Sequence, residues 1–431
     1  MNELILIGLQ IVFIIFIFNF SVYEIINKVN INYLNIFEVM LVNILFLLNI
    51  FLFLSILNIT INYIFLITII IALIAFIKKF KSKQSQLTKK LDFIVMFLII
   101  SFIISVDLAA NIDLGWDVKN FGFFKTLNFY QNNNLTNLKN LGVTDYPHLG
   151  NLIWSLFWKF PFNYNEYFGR IIYVIIYLIS IFGFYFNLKI NKIKKLIFIL
   201  LTIIITYEYA LISGLQEILI FSLILIASKF AYYLFSEKNI INQTNLIFYI
   251  LLITNACCWI KNEGFIFILI FNFSLLFTTI STNIKIKLVL GTLFILFIRL
   301  FYLFNLKIGF ESSQFESTFS LSNYNFFQMI NDLKVILFYF VVYLIETPIF
   351  LVCIPLMFWV LFYKKKNYTL NKFIILFSVL NFLFLIFAFL FNLENVEWQV
   401  RVGLKRVMFE TAGFYLLPIL QILKNKNKTY E

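Results

Sequence analysis

Residues 39–57 read VMLVNILFLLNIFLFLSIL, an apolar run without a charged side chain. A run of this length matches the roughly 20 residues that an α-helix needs to cross the hydrocarbon core of a bilayer. Similar runs recur along the chain and predict an all-α, polytopic integral membrane protein, because a lipid-exposed backbone must satisfy its own hydrogen bonds. We predict about thirteen spans, over residues 4–22, 39–57, 61–77, 91–106, 168–186, 194–211, 215–235, 246–260, 264–280, 286–304, 335–362, 371–391 and 412–423.

The span predicted over 335–362 is long, and Glu346-Thr347-Pro348 interrupts it. Proline kinks or ends a helix because it lacks the backbone N–H and clashes with the preceding turn. The segment is therefore either one kinked span or two half-spans.

The overall composition indicates the same class of protein. The chain of 431 residues is 62% hydrophobic and only 13% charged, whereas soluble domains carry about 25% charged residues. The net charge of +13 lies largely in short lysine clusters rather than on one basic face, so nucleic acid is not an expected partner. Cys257, Cys258 and Cys353 lie within apolar runs and are interpreted as small core residues.

The lysine clusters orient the predicted spans, since positive charge is retained on the cytoplasmic side. If residues 78–90 are cytoplasmic, alternation places most of the other lysine clusters on that side too. The opposite side receives the polar segments 107–167, 305–334 and 392–411. The richness in Asn, Lys, Ile, Phe and Tyr is typical of AT-rich coding. We therefore predict a bacterial inner membrane protein whose site faces the periplasm or the cell exterior.

The segment 107–167 is predicted to be a large first extracytoplasmic loop. Its half-apolar stretches 116–130 and 148–160 have the pattern of amphipathic helices that lie at a membrane surface. Asp113 and Asp117 are four residues apart, so they share a face if this stretch is helical, and Lys125 continues that face. These groups are candidates for holding a hydroxyl near a phosphate. The alternative is that they only solvate the end of a span.

Two further segments carry polar side chains that are candidates for chemistry. Asp145-Tyr146-Pro147-His148 precedes the second amphipathic stretch, where Pro147 favours a helix start. The alternative for Asp145 is that it only marks this helix start. His148 is the sole histidine and is a candidate general acid or base. Lys261-Asn262-Glu263-Gly264 separates two apolar spans on the predicted exterior side. Lys261 and Glu263 either pair with each other or bind a phosphate or an acceptor there.

The last polar segment concentrates cations on the side where positive charge is usually avoided. Arg401 and Lys405 are four residues apart, and Arg406 is adjacent. Arginine binds phosphate in a bidentate manner, so these cations indicate an anion site. The alternative is that they pair with Glu394, Glu397 or Glu410.

These segments together resemble the GT-C superfamily of membrane glycosyltransferases, and in particular bacterial relatives of protein O-mannosyltransferases and lipid A aminoarabinose transferases. The resemblance spans about 105–411 and rests on short motifs in the expected order. They are Trp116-Asp117 with Phe124-Lys125-Thr126, Asp145-Tyr146-Pro147-His148-Leu149, Trp259-Ile260-Lys261-Asn262-Glu263-Gly264, and Trp398 with Leu404-Lys405-Arg406. Lys405 stands where the family pattern has Asp. The resemblance implies a catalytic domain over 91–431, preceded by membrane helices 1–90 to which it assigns no role.

The resemblance also implies an activity: inverting transfer of a hexose or pentose from a polyprenyl-phosphate sugar to a hydroxyl of a glycan, lipid or protein. Asp117 would be the catalytic base. Lys125, Lys261, Arg401 and Arg406 would bind the donor phosphate. Substrate contacts would come from Trp116, Asp145, Tyr146, His148, Glu263 and Trp398. No cofactor is implied, and a need for a divalent metal stays open.

The alternatives are a flippase for lipid-linked saccharides, another transporter, or an O-antigen-type polymerase. The concentration of polar residues in exterior loops rather than within spans favours the enzyme.

Overall fold

The computed structural model describes residues 2–20, 34–81, 91–140, 146–188, 190–207, 209–237, 239–305, 326–363, 368–391 and 395–424. All regular secondary structure in these ranges is helical. The chain divides into two compact units. Unit 1 comprises Met1–Asn187 with Tyr207–Ser222, and unit 2 comprises Leu188–Thr206 with Leu223–Glu431.

In the described residues of unit 1, seven α-helices precede Asn187, and one short α-helix follows Tyr207. Their bounds are α1 Glu3–Phe20, α2 Ile36–Ile56, α3 Ile61–Lys81, α4 Leu91–Ala110, α5 Phe123–Tyr130, α6 Leu149–Lys159, α7 Tyr167–Phe186 and α9 Tyr209–Ile212. A π-helical turn, Val118–Gly122, precedes α5, and a 3₁₀ turn, Leu135–Asn140, follows it. The start of α10, Glu217–Ser236, belongs to unit 1 as far as Ser222.

Unit 2 contains α8 Lys192–Thr206, the rest of α10, and the helices that follow it. These are α11 Ile240–Ile260, α12 Asn262–Leu276, α13 Thr282–Asn305, α14 Phe326–Glu346, α15 Pro348–Tyr363, α16 Tyr368–Leu390, α17 Val396–Gln399, α18 Lys405–Thr411 and α19 Leu417–Lys424. A π-helical turn, Val400–Leu404, joins α17 to α18, and a 3₁₀ turn, Ala412–Leu416, joins α18 to α19.

Long apolar helices confirm the predicted class of a polytopic helical membrane protein. In the described part of the chain, nine helical segments are long and apolar enough to cross a membrane: α2, α4, α7, α10, α11, α13, α14, α16 and the composite segment Val396–Leu423. Helices α1, α3, α12 and α15 contribute shorter apolar stretches of 10–17 residues, at or below the lower end of the usual spanning length. The number of spans, about thirteen, therefore stays a prediction.

The structure refines two of the predicted segments. Residues 335–362 are divided between two helices, α14 and α15, which meet at Thr347, and α14 by itself is long and apolar enough to cross a membrane. The predicted loop 392–411 is helical from Val396 onward and continues without interruption into α19. Glu397 and Arg401 pair one helical turn apart, which lets a charged stretch remain helical.

The core of unit 1 forms around α7. All of its residues from Tyr167 to Tyr185 are buried, because α1, α2, α4 and α6 pack around it. Helix α6 lies within the predicted amphipathic stretch 148–160, and its residues Leu149–Phe157 are all buried. The location of this stretch at a membrane surface stays a prediction. In unit 2, Phe414 of the 3₁₀ turn stacks on Phe377 with ring centroids 3.9 Å apart, and this contact joins α16 to the end of the chain.

The contact between α6 and α7 predicts the effect of adding one methyl group. A Cβ at Gly169 would lie 2.2 Å from the Trp154 carbonyl oxygen. We therefore expect Gly169→Ala to lower the free energy of unfolding by about 1–3 kcal/mol, the usual cost of overpacking. The measurement is the thermal unfolding midpoint in detergent.

Gly8→Ala in α1 is the matched control, because a Cβ added at Gly8 would meet nothing within 4 Å. Alanine is the better helix former by about 1 kcal/mol or less, so this variant should be neutral or slightly more stable. Equal midpoints for the two variants would contradict the close packing of α6 on α7.

Candidate functional site

In unit 1, a backbone hydrogen bond holds the chain just before the helix that carries Asp117. The backbone N–H of Gly115 donates to the carbonyl of Ser213 over 3.0 Å. Helical structure begins at Trp116, and the π-helical turn Val118–Gly122 follows directly. Asp117 is the helical residue directly before that turn, it makes no capping hydrogen bond with its side chain, and it is half-buried. The predicted base therefore lies where the backbone enters a helix and keeps partial access to the surroundings.

Asp113 does not share a helical face with Asp117, because residues 111–115 are not helical. The expected face, which depended on helix at this point, does not form. Instead, Asp113 pairs with Lys119 over 2.9 Å, and their side chains are 86% and 53% exposed. Trp116 is 69% exposed and makes an edge contact with Phe121 at 5.9 Å. Asp113 therefore behaves as a solvated neighbour, which makes it a useful comparison for Asp117.

The guanidinium of Arg170 anchors the segment before Asp117. Arg170 lies in the first turn of α7 and is fully buried. Its Nη2 donates to a carboxylate oxygen of Glu166 over 2.5 Å and to the carbonyl of Ile112 over 3.2 Å. Its Nη1 donates to the carbonyl of Ile212. The Arg170 side chain thus binds the backbone of two segments, one just before Asp117 and the other just before Ser213.

Arg170 was not predicted as a site residue, because it lies within an apolar span. The sequence does contain one signal for it: Arg170 is a lone cation in the first turn of that span. Charged residues within a span are costly, and they are usually paired or functional. Its partner Glu166 lies just before α7. Burial raises the pKa of the Glu166 carboxyl above its ordinary value, and the Arg170 charge opposes this shift.

The turn at Gly214 reinforces the same arrangement. Its φ of +79° lies in the left-handed region that favours glycine. A Cβ there would lie 3.2 Å from the Val118 side chain and 3.3 Å from that of Arg170. The turn therefore packs closely against the residue that follows Asp117.

Lys125 and His148, also predicted as site residues in the segment 107–167, are buried in unit 1. Lys125 is 2% exposed, and its ammonium donates to the carbonyl of Tyr146 over 2.7 Å. His148 is 3% exposed, and its Nε2 lies 3.2 Å from the hydroxyl of Ser55. These contacts connect α5 and α2 to the start of α6. Asp145, predicted as a substrate contact, lies outside the described residues.

Lys261 in unit 2 lies at the junction between α11 and α12. Its ammonium lies 2.5 Å from a carboxylate oxygen of Glu410 and 3.9 Å from that of Glu263. Glu410 in α18 is fully buried, whereas the side chain of Glu263 is 25% exposed. The pairing alternative therefore holds for Lys261, and its closer partner is Glu410 rather than the neighbouring Glu263.

Arg299, which was also not predicted from the sequence, contacts the same junction. It is 9% exposed, and it donates to the carbonyl of Cys258 over 2.7 Å and to the Asn262 side chain over 2.6 Å. Its guanidinium carbon lies 4.6 Å from the centre of the Phe265 ring. The available signal was a cation deep within a predicted apolar span, well beyond Lys287 near the start of the same span.

The late segment keeps its polar side chains nearer the surface of unit 2. Arg401 belongs to the π-helical turn Val400–Leu404, and its Nη2 pairs with Glu397. The pairing alternative therefore holds for this arginine, yet its side chain stays 59% exposed. Trp398 is 57% exposed, and Lys405 and Arg406 are half-buried.

Within unit 1 the structure places Trp116 and Asp117 beside the anchored turn, and it buries Lys125 against the Tyr146 carbonyl and His148 beside Ser55. Within unit 2 it pairs Lys261 with Glu263 and Glu410, and leaves Arg401 and Trp398 accessible.

Among the described residues, no three His, Cys, Asp or Glu side chains are grouped so that they could hold a metal ion. No protein-family model, curated protein or solved structure matches this chain.

The buried pair Lys261–Glu410 predicts a strong asymmetry between single and double substitutions. Lys261→Met leaves the Glu410 carboxylate buried without its cation, so we expect the free energy of unfolding to fall by about 3–5 kcal/mol. Lys261→Met combined with Glu410→Leu should recover most of this loss, since an apolar pair of similar volume is often neutral. Chemical unfolding in detergent measures both.

Arg401→Met is the matched control for this experiment, because its ion pair with Glu397 is exposed. Exposed ion pairs contribute little to stability, so this variant should unfold like the unmodified protein. A Lys261→Met variant of unchanged stability would show that the pair does not hold α18 to the junction.

Proposed function

We propose that the protein is an inverting membrane glycosyltransferase. The donor is a polyprenyl-phosphate sugar, and the acceptor is a hydroxyl of a glycan, lipid or protein. In this proposal the protein lies in a bacterial inner membrane, with the site on the periplasmic or exterior side. Asp117 acts as the base, and exterior cations stabilise the leaving phosphate.

One structural observation carries the proposal. π-Helical turns account for well under 1% of residues in proteins and are frequent at functional sites. In the described part of the chain such turns occur at Val118–Gly122 and at Val400–Leu404. The first begins directly after Asp117, and the second contains Arg401. Both fall on the motifs that were predicted from the sequence to supply the base and the phosphate contacts.

The proposed reaction assigns a clear task to Asp117. Its carboxylate takes the proton of the acceptor hydroxyl while the acceptor oxygen bonds to the anomeric carbon. The bond between that carbon and the phosphate oxygen breaks on the opposite face, which inverts the configuration. A base in this role needs a fixed backbone and an accessible carboxylate. The anchored turn and the half-buried side chain of Asp117 meet both needs.

The cations divide into two groups in this mechanism. Negative charge grows on the leaving phosphate, and positioned cations lower the barrier by stabilising it. Arg401 is exposed and Arg406 is half-buried, so we assign direct phosphate contact to these two. Lys125 and Lys261 already bind Tyr146 and Glu410. We therefore assign them mainly to positioning the segments that carry substrate contacts.

The first test replaces the proposed base. Asp117→Asn keeps the shape of the side chain but removes a proton acceptor, so we expect sugar transfer to fall by at least about 10²-fold, in the range of general base catalysis. Donor binding should be unchanged. Transfer is measured in membranes from labelled polyprenyl-phosphate sugars to extracted lipid, glycan and protein fractions.

Asp113→Asn is the control, because it makes the same chemical change four residues away at a solvated site. It should retain activity. Full transfer by Asp117→Asn would remove Asp117 as the base. Movement of an intact lipid-linked saccharide across the membrane without transfer would favour the flippase alternative.

The second test concerns the donor phosphate. Arg406→Ala removes one charge-assisted hydrogen-bond donor, and such bonds contribute about 1.5–3 kcal/mol. We expect polyprenyl phosphate to bind at least about tenfold more weakly, as measured by titration in nanodiscs. Lys424→Ala, at the end of α19, is the control for loss of one positive charge. Unchanged binding by Arg406→Ala would exclude this residue from the donor site.

A further inference from the structure

The guanidinium of Arg401 is held on two sides and exposed on the third. Its Nε donates to the hydroxyl of Tyr339 over 2.6 Å, and its Nη2 pairs with Glu397. Its guanidinium carbon lies 5.5 Å from the centre of the Tyr339 ring. Nη1 makes no hydrogen bond within the part of the chain that the structure describes, and the side chain is 59% exposed.

The backbone of Arg401 is also fixed. The hydroxyl of Tyr343, one turn after Tyr339 on α14, donates to the Arg401 carbonyl over 3.2 Å. The two tyrosine rings lie 5.9 Å apart. Helix α14 therefore orients both the main chain and the side chain of this arginine. A guanidinium that is already oriented loses less conformational entropy when it binds a ligand.

The neighbouring side chains indicate the kind of ligand. Trp398 is 57% exposed and Val402 is 47% exposed. Exposed Trp beside Tyr and Arg is typical of the membrane–water interface, where lipid phosphates lie. Planar guanidinium groups bind phosphate in a bidentate manner. The ligand chemistry that fits is a phosphate group presented at a membrane surface.

Glu397 gives this site an internal counter-ion. Its carboxylate pairs with the same guanidinium that a phosphate would use, and its side chain is 51% exposed. The pair is solvated, so exchanging the carboxylate for a phosphate costs little desolvation. A bound phosphate would also face the negative charge of Glu397, which opposes binding.

We propose that Arg401 is a phosphate site that Tyr339 orients and that Glu397 occupies in the absence of ligand. A phosphate displaces the Glu397 carboxylate from the guanidinium, while Tyr339 keeps Nε in place. This inference rests on the proposed function for its ligand, polyprenyl phosphate. It adds Tyr339 as a positioning residue and Glu397 as a competitor.

The two neighbours of Arg401 should then change affinity in opposite directions. Glu397→Gln removes the competing charge, so polyprenyl phosphate should bind about two- to fivefold more tightly, the range of an exposed ion pair. Tyr339→Phe removes the hydroxyl that orients the guanidinium and should weaken binding about two- to tenfold. A purely structural role for both residues would weaken binding in both variants.

The experiment titrates polyprenyl phosphate into the full-length protein in nanodiscs of neutral phospholipid and measures occupancy by native mass spectrometry. Arg401→Gln should weaken binding more than Tyr339→Phe, and Arg401→Lys should not restore it because lysine lacks the planar fork. Asp332→Asn on α14 is the control for equal loss of negative charge, and it should leave the affinity unchanged.

Parallel titrations with phosphatidic acid and with inorganic phosphate identify the source of the phosphate. We expect polyprenyl phosphate to bind more tightly than either. Binding of inorganic phosphate as tight as that of the lipids would overturn a site at the membrane surface. Weaker or unchanged binding by Glu397→Gln would overturn the competition, even if the protein transfers sugar. The opposite shifts in affinity without any sugar transfer would instead refute the proposed enzyme and leave this site in place.

Discussion

The first unit depends on one buried guanidinium. Arg170 lies in the first turn of α7, the helix at the centre of the unit, and it holds Glu166, Ile112 and Ile212 together. A buried charge is costly unless its hydrogen bonds are all made. Here that requirement fixes two chain segments that are far apart in sequence. The start of the Asp117 helix and the turn before α10 are therefore set by the need to satisfy a single side chain.

The sequence predicts the helices of this protein well because lipid imposes a strong pattern. The run 168–186 corresponds closely to α7, and 91–106 falls within α4. Within the predicted exterior segment 392–411, the described residues are helical from Val396 onward, and the location of this segment outside the membrane stays a prediction. The pair Glu397–Arg401 satisfies itself one helical turn apart, so the charges do not require a break in the helix.

The candidate site was predictable only in part. Residue type and motif order point to Asp117, which directly precedes one π-helical turn, and to Arg401, which lies within the other. The carbonyl partners of Arg170 and Arg299 could not be predicted, because any residue provides a backbone carbonyl. The sequence also does not predict which of the candidate cations are buried. Lys125 and Arg401 were both predicted as exterior cations, yet one is 2% exposed and the other has a side chain 59% exposed.

The difference between Glu410 and Glu397 follows from desolvation. Both carboxylates pair with a cation of unit 2, and both were alternatives to a phosphate ligand in the sequence. Glu410 is fully buried, so separating it from Lys261 would leave a carboxylate that is shielded from solvent without this cation. Glu397 is half-exposed, and water replaces its partner at little cost. The first pair therefore acts as a permanent structural link, whereas the second can exchange one anion for another. Among cations with the same formal charge, the solvation of the counter-ion decides which one remains available to a ligand.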